Sequence, residues 1–92
     1  MRIVIVGAGR MGFSLAQDLD REGQEVSIID PRPEAVELAQ TRLDVMAVAG
    51  SGCSRATLRE GGAESADLLL AVSGSDEVNI VSCLIGRKLG IA

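Results

Sequence analysis

The chain has no histidine, tyrosine or tryptophan, one phenylalanine (Phe13), one lysine (Lys88) and two cysteines in 92 residues. Each shortage removes a class of function. Without histidine, and with Cys53 and Cys83 thirty positions apart, the residues argue against a zinc site. In a reducing compartment the two cysteines read as free thiols. One aromatic residue offers no platform on which nucleic-acid bases could stack. The formal net charge of −4 argues against both nucleic acid and an anionic membrane as direct partners. No apolar stretch approaches the ~20 residues of a membrane span, and the first strand is not laid out as a signal peptide. With no His or Tyr and only Lys88, near the end of the last helix, the usual general acids and bases of an enzyme are scarce.

What is present is one small globular domain, 47% hydrophobic and 24% charged, with an aliphatic core of Val, Ile, Leu and Ala. Its most informative stretch is Arg2 to Gly12. An unbroken apolar run, Ile3 to Val6, suits a strand buried on both faces of a parallel sheet. It leads into Gly7-Ala8-Gly9-Arg10-Met11-Gly12, a Gly-x-Gly-x-x-Gly turn. Gly7 permits the tight turn, Gly9 lets a diphosphate approach the backbone, and Gly12 lets the next helix pack against the strand. The helix start then offers free amides and a positive dipole end to phosphates. Asp30, eighteen positions past Gly12, ends a second apolar strand, where a carboxylate accepts hydrogen bonds from ribose hydroxyls. An acid there favours NAD(H), ADP or ATP over NADP(H), whose 2′-phosphate it would repel, and Arg32 offers only weak compensation.

The strand-then-helix pattern repeats four times. Strands are expected at Arg2 to Val6, Glu25 to Ile29, Val45 to Ala49 and Asp67 to Val72. The first helix spans Arg10 to Glu22, with Met11, Leu15, Ala16 and Leu19 inward and Gly23 ending it. The second runs from Arg32 or Glu34 to Thr41, with Ala35, Leu38 and Ala39 toward the sheet. Ser54 caps a third helix that stops at Gly61-Gly62, and Ser75 caps a fourth, with Val78, Val81, Ile85 and Leu89 at helical spacing. Right-handed crossovers give an α/β, Rossmann-like parallel sheet of order 3-2-1-4 with the site at the strands' C-terminal edge. Strands 5 and 6 of a dinucleotide fold are missing. Residues 1–92 therefore read as one nucleotide-binding domain that is a fragment or is completed by another chain, with strand 4 left at an open edge.

Val-Ala-Gly50, Leu-Arg-Glu-Gly-Gly-Ala63, Ala-Asp67-Leu-Leu-Leu-Ala-Val72 and Asp76-Glu-Val-Asn79, together with the glycine turn and Ile-Ile-Asp30, carry a resemblance over nearly all 92 residues. The chain resembles the N-terminal lobe of Trk-type and Ktr-type potassium-uptake regulatory subunits and regulator-of-potassium-conductance domains. The resemblance implies that Gly7, Ala8, Gly9, Met11 and Gly12 form the phosphate cradle, and that Arg10 reaches a β- or γ-phosphate. The alternative for Arg10 is a solvated first-turn side chain. It further implies that Asp30 holds the adenosine ribose, that Pro31 and Arg32 flank the adenine side, and that Gly50, Ser51 and Cys53 border the base. Relatives often carry Asp or Asn where Ser51 stands, so polar readout of the base differs here. Ser73, Gly74 and Asn79 would lie near the phosphates or the nicotinamide half, with turn formation and helix packing the competing reading for Ser73 and Asn79. Cys53 reads as a small turn residue, the reactive thiol being its alternative.

Two classes of function follow. In the first, the domain is a non-enzymatic regulatory module that binds NAD(H), or ATP/ADP, and controls potassium transport. It would sit at the cytoplasmic face of the membrane, bound to a potassium-translocating subunit, and associate with itself as a homodimer or larger assembly. In the second it is the cofactor half of an NAD-dependent dehydrogenase, whose chemistry would have to lie elsewhere.

Overall fold

The computed structural model describes residues 1–91; Ala92, the last residue of the expected domain, lies outside the described residues. Four parallel strands, β1 (Arg2–Val6), β2 (Glu25–Asp30), β3 (Met46–Ala49) and β4 (Leu68–Ala71), form one sheet in the order β3-β2-β1-β4. Helices α1 (Arg10–Arg21), α2 (Pro33–Arg42) and α3 (Arg55–Glu60) make the connections, with a 3₁₀ turn at Ala63–Ser65 before β4, and α4 (Asp76–Lys88) follows β4. This is the expected α/β architecture, with each strand about one residue from its expected bounds. The 3₁₀ turn was not foreseen.

The central strand explains why the sheet is parallel and doubly covered. Ile3, Val4, Ile5 and Val6 are all buried, so successive side chains enter two different cores. Ile3 and Ile5 pack with Val26, Ile28, Ala16 of α1 and Ala39 of α2. Val4 and Val6 pack with Ile29, Val48, Leu58 of α3 and Ile91. Ile5 is paired across the sheet with Ile28 on one side and Leu70 on the other. Burial of each such side chain contributes about 1.5–3 kcal/mol, so β1 and β2 are the backbone of the fold's stability.

Two helix residues, Met11 and Leu38, face the other way from the expected orientation. Met11 is 63% exposed, because it sits in the first turn of α1 over the glycine loop, ahead of the stretch that reaches the sheet. In α2 the buried pair is Val36 and Ala39, at i and i+3, which turns Leu38 outward. In α4 the buried positions are Ser82 and Gly86, while Val81 is more than a third exposed. Ser82 can be buried because its hydroxyl donates to the carbonyl of Val78 at 2.8 Å. Gly86 sits there because Leu69 Cδ1 comes within 3.2 Å of where a Cβ would be.

The caps follow their expected residues. Ser54 accepts a hydrogen bond from the amide of Thr57, and Ser75 from that of Val78, each at 3.2 Å. Gly23, in the left-handed region at φ +81°, follows the end of α1. All four strands thus point their C-terminal ends at one edge, where the β1–α1, β2–α2 and β4–α4 turns meet.

Candidate functional site

At that edge the β1–α1 turn is shaped by contacts that only glycine permits. Gly7 has φ +113°, and a Cβ on it would lie 2.8 Å from the backbone of Ser73. A Cβ on Gly12 would lie 1.7 Å from the carbonyl oxygen of Gly7, so α1 starts directly against the turn. No side chain caps α1. Its first intrahelical bond runs from the Phe13 amide to the Gly9 carbonyl at 2.9 Å. The amides of Arg10, Met11 and Gly12 therefore have no partner within the helix and face its positive dipole end.

Asp30 ends β2 beside this turn. Its side chain is buried and accepts four hydrogen bonds. The Ala8 amide donates to Oδ2 at 2.8 Å and the Arg32 amide to Oδ1 at 2.9 Å. The Arg32 guanidinium donates from Nε to Oδ1 at 2.9 Å and from Nη2 to Oδ2 at 3.1 Å. Burial pulls the carboxyl's pKa up, but the Arg32 side-chain bond, the Ala8 and Arg32 amides and the Arg32 charge together hold it below its ordinary value. Arg32 is shifted up in turn by its hydrogen bond to Asp30, then by the charge of Asp30.

A cavity of about 500 Å³ opens between these parts, lined by the glycine loop, Asp30, Pro31, Arg32 and the start of the β4–α4 connection. Of the residues expected at the site, Gly7, Gly9, Arg10, Met11, Asp30, Pro31, Arg32, Ser73 and Gly74 line it. Arg10, whose own amide is one of the free ones, is an exposed residue on the cavity's lining. Gly12 is buried behind the loop, and Ala8 lines a neighbouring groove that also takes in Phe13, Glu34 and Leu38.

The remaining expected residues do not line this cavity. Gly50 abuts Thr57, its amide bonded to the Asp30 carbonyl at 3.0 Å. The Ser51 hydroxyl accepts from the Cys53 amide, and Cys53 is an exposed free thiol in that turn. Asn79 does not line the cavity. Its Oδ1 accepts from the amide (2.9 Å) and hydroxyl (2.7 Å) of Ser73, and its amide nitrogen donates back to the Ser73 carbonyl at 3.1 Å. It holds the β4–α4 loop in shape from behind.

Three lining residues were not anticipated: Val72, Ser75 and Val78. Ser75 was legible as a cap, and its place just past β4 in a parallel sheet was the signal that it also borders the site. Among the described residues there is no group of three or more His, Cys, Asp and Glu that could hold a metal. No described helix is long and apolar enough to cross a membrane.

A parallel 3-2-1-4 sheet with a glycine turn at its C-terminal edge and an acid ending β2 is the N-terminal half of a Rossmann-like nucleotide-binding fold. Within that class, residues 3–91 match the profile of the TrkA-N domain, and the chain belongs to that family. It is 40% identical over 89 residues to the Trk system potassium uptake protein TrkA of Halomonas elongata, covering 97% of this chain and 20% of that protein. To the protein of the same name in Azorhizobium caulinodans it is 44% identical over 89 residues, 97% of this chain and 19% of the other. A TrkA homolog from Methanothermobacter thermautotrophicus is 35% identical over 91 residues, 99% of this chain and 42% of that protein. The chain thus spans only a minor part of the curated relatives it matches. Among solved structures, the C-terminal domain of Shewanella denitrificans Kef in its AMP-bound form superposes with a TM-score of 0.80 at 22% identity. That match covers 96% of this chain and 52% of the other, and it agrees in fold.

Proposed function

We propose that this domain binds an adenine nucleotide, NAD(H) or else ATP/ADP, and that occupancy regulates potassium uptake. The observation that carries this reading is the meeting, at one cavity, of the free α1 amides of Arg10 and Met11, a close-packed glycine turn and the buried Asp30 carboxylate. Phosphates suit the amides, and ribose hydroxyls suit the carboxylate. The names of the relatives supply the process, potassium uptake through a Trk system.

In this reading no bond is made or broken. Among the lining side chains only Asp30 could exchange a proton in the usual catalytic range, and Arg32 together with two amides favours its ionised form. Regulation needs only that the nucleotide prefer one of two arrangements of an assembly, by a differential affinity of a few kcal/mol. The partners are a membrane potassium-translocating subunit and further copies of the chain, with the domain on the cytoplasmic side. Calorimetric titration with NAD, NADH, ATP and ADP tests the core of this. Saturable binding of at least one is expected, and the absence of binding by all four would overturn it.

A further inference from the structure

The carboxylate that should receive a ribose is already fully engaged by its own chain. A carboxylate offers about four lone-pair sites, and Asp30 has four donors on it. Two of these, the amides of Ala8 and Arg32, are set by the backbone of the turns. The other two, Nε and Nη2 of Arg32, are carried by a side chain that is 55% exposed and can swing away. The guanidinium also overlies the glycine loop, with Nη2 3.8 Å from where a Cβ on Gly9 would stand. Arg32 is common to the 500 Å³ cavity and to the adjoining groove of Ala8, Phe13 and Leu38.

We infer that Arg32 is an internal competitor for the ribose subsite, a latch whose guanidinium must leave Asp30 before the hydroxyls of a ribonucleotide can donate to it. The inference rests on the nucleotide reading above and adds a control to it. A ribose diol brings two donors to the same oxygens, so the exchange replaces one bidentate donor by another. The displaced guanidinium has a place to go. Glu34, in the first turn of α2, lines the same adjoining groove, and its charge already acts on Arg32. Binding of a ribonucleotide would therefore move Arg32 from the cavity side to the α2 side, altering the surface beside α1 and α2. The apparent affinity is reduced by the fraction of time the latch is closed.

This separates Arg32 from an ordinary ligand contact, whose removal weakens binding. Calorimetry on the full chain would compare parent, Arg32→Ala and Arg32→Gln, with ADP and 2′,3′-dideoxy-ADP as probes. The dideoxy nucleotide has no hydroxyl to give Asp30 and no reason to displace the latch. Both variants should bind ADP about two- to fivefold tighter than parent, the range set by a half-exposed pair, with dideoxy-ADP nearly unchanged. Equal or weaker ADP binding by the variants would overturn the latch while leaving the nucleotide reading intact. Equal tightening of both probes would also overturn it, since that marks a general opening of the cavity. A parent that binds neither probe while it binds NAD or ATP would remove the latch for ADP, and a parent that binds no nucleotide at all would remove both readings. As a measurement that needs no variant, the Arg32 Nε–H resonance of the parent should shift on saturation with ADP and stay in place with dideoxy-ADP. An unshifted resonance with bound ADP would count against the latch.

Discussion

The amide of Ala8 donates to Oδ2 of Asp30 across 2.8 Å, so the acid that ends β2 is fastened to the turn that follows β1. Asp30 is therefore a structural tie as well as a candidate ribose ligand, and the two roles respond differently to substitution. Asp30→Ala leaves a buried amide without an acceptor, at a cost of about 1–3 kcal/mol. Asp30→Asn retains an acceptor for Ala8 and should cost less. Urea unfolding will separate the two variants. Nucleotide binding should fall about tenfold or more in Asp30→Ala, consistent with loss of charge-assisted bonds of ~1.5–3 kcal/mol, and equal affinity would place the ribose elsewhere.

The same carboxylate makes acid stability predictable in sign. Its pKa is lower in the folded chain than its ordinary 3.8, so folding favours the ionised form. The associated stability is present above the unfolded value and is lost as pH falls through the folded one. The parent should lose stability on acidification below about pH 5 more steeply than Asp30→Asn, which has nothing to protonate at that position. Urea midpoints measured from pH 7 to pH 3 will show whether the parent's stability falls more steeply than that of the variant.

Much of this architecture was legible because its signals are local. Four apolar runs separated by helical periods specify a parallel sheet, and Gly7, Gly12 and Asp30 mark the edge where the turns meet. The helix faces were less legible than the strands. Hydrophobic spacing counts apolar side chains, whereas α4 buries Ser82 and Gly86, a self-satisfied hydroxyl and a space for Leu69. Leu38 was expected to face the sheet with Ala35 and Ala39, but Val36 and Ala39 supply the i, i+3 pair that meets it. The Asp30–Arg32 pair had a signal that went unused. An Asp-Pro pair after a strand marks a turn, and an aspartate in a turn accepts the amide two residues on, which brings Arg32 to it. The role of Asn79 was not legible, because its three bonds to Ser73 depend on how tightly β4 turns into α4.

Gly12 should be the least tolerant glycine of the loop. Gly12→Ala forces a methyl to within 1.7 Å of a backbone oxygen that cannot rotate away, so α1 must shift relative to β1. Overpacking of this kind costs typically 1–3 kcal/mol and sometimes more. Gly74→Ala meets nothing within 4 Å and serves as the comparison. Thermal unfolding should show a clear drop in Tm for the first substitution and little change for the second.

Asn79→Ala should loosen the β4–α4 loop without disturbing the sheet. It removes both acceptors and donors that hold Ser73, while the Ser75 cap of α4 remains. Hydrogen exchange at the Ser73 amide should accelerate selectively, with β1 and β2 amides unchanged. Uniform acceleration across the sheet would mean that the loop is part of the global folding unit.

The domain is expected to associate with itself through α4 and the neighbouring sheet edge. Ile80 and Leu84, one helical turn apart, are 61% and 54% exposed, and Val81 beside them is 38% exposed. They adjoin β4, which among the described strands pairs only with β1 and so presents an open edge. An apolar helix face next to an unpaired strand is a surface that soluble proteins usually cover, and a twofold dimer is the commonest arrangement. A charge at the centre of such a contact is costly to bury, so Ile80→Glu together with Leu84→Glu should shift the assembly toward monomer. Because both side chains point to solvent, the double substitution should leave the unfolding midpoint of the monomer nearly unchanged. Sedimentation velocity at micromolar concentration decides the matter: a parent that runs as a single monomer would contradict this expectation, and so would a double variant that associates as strongly as the parent.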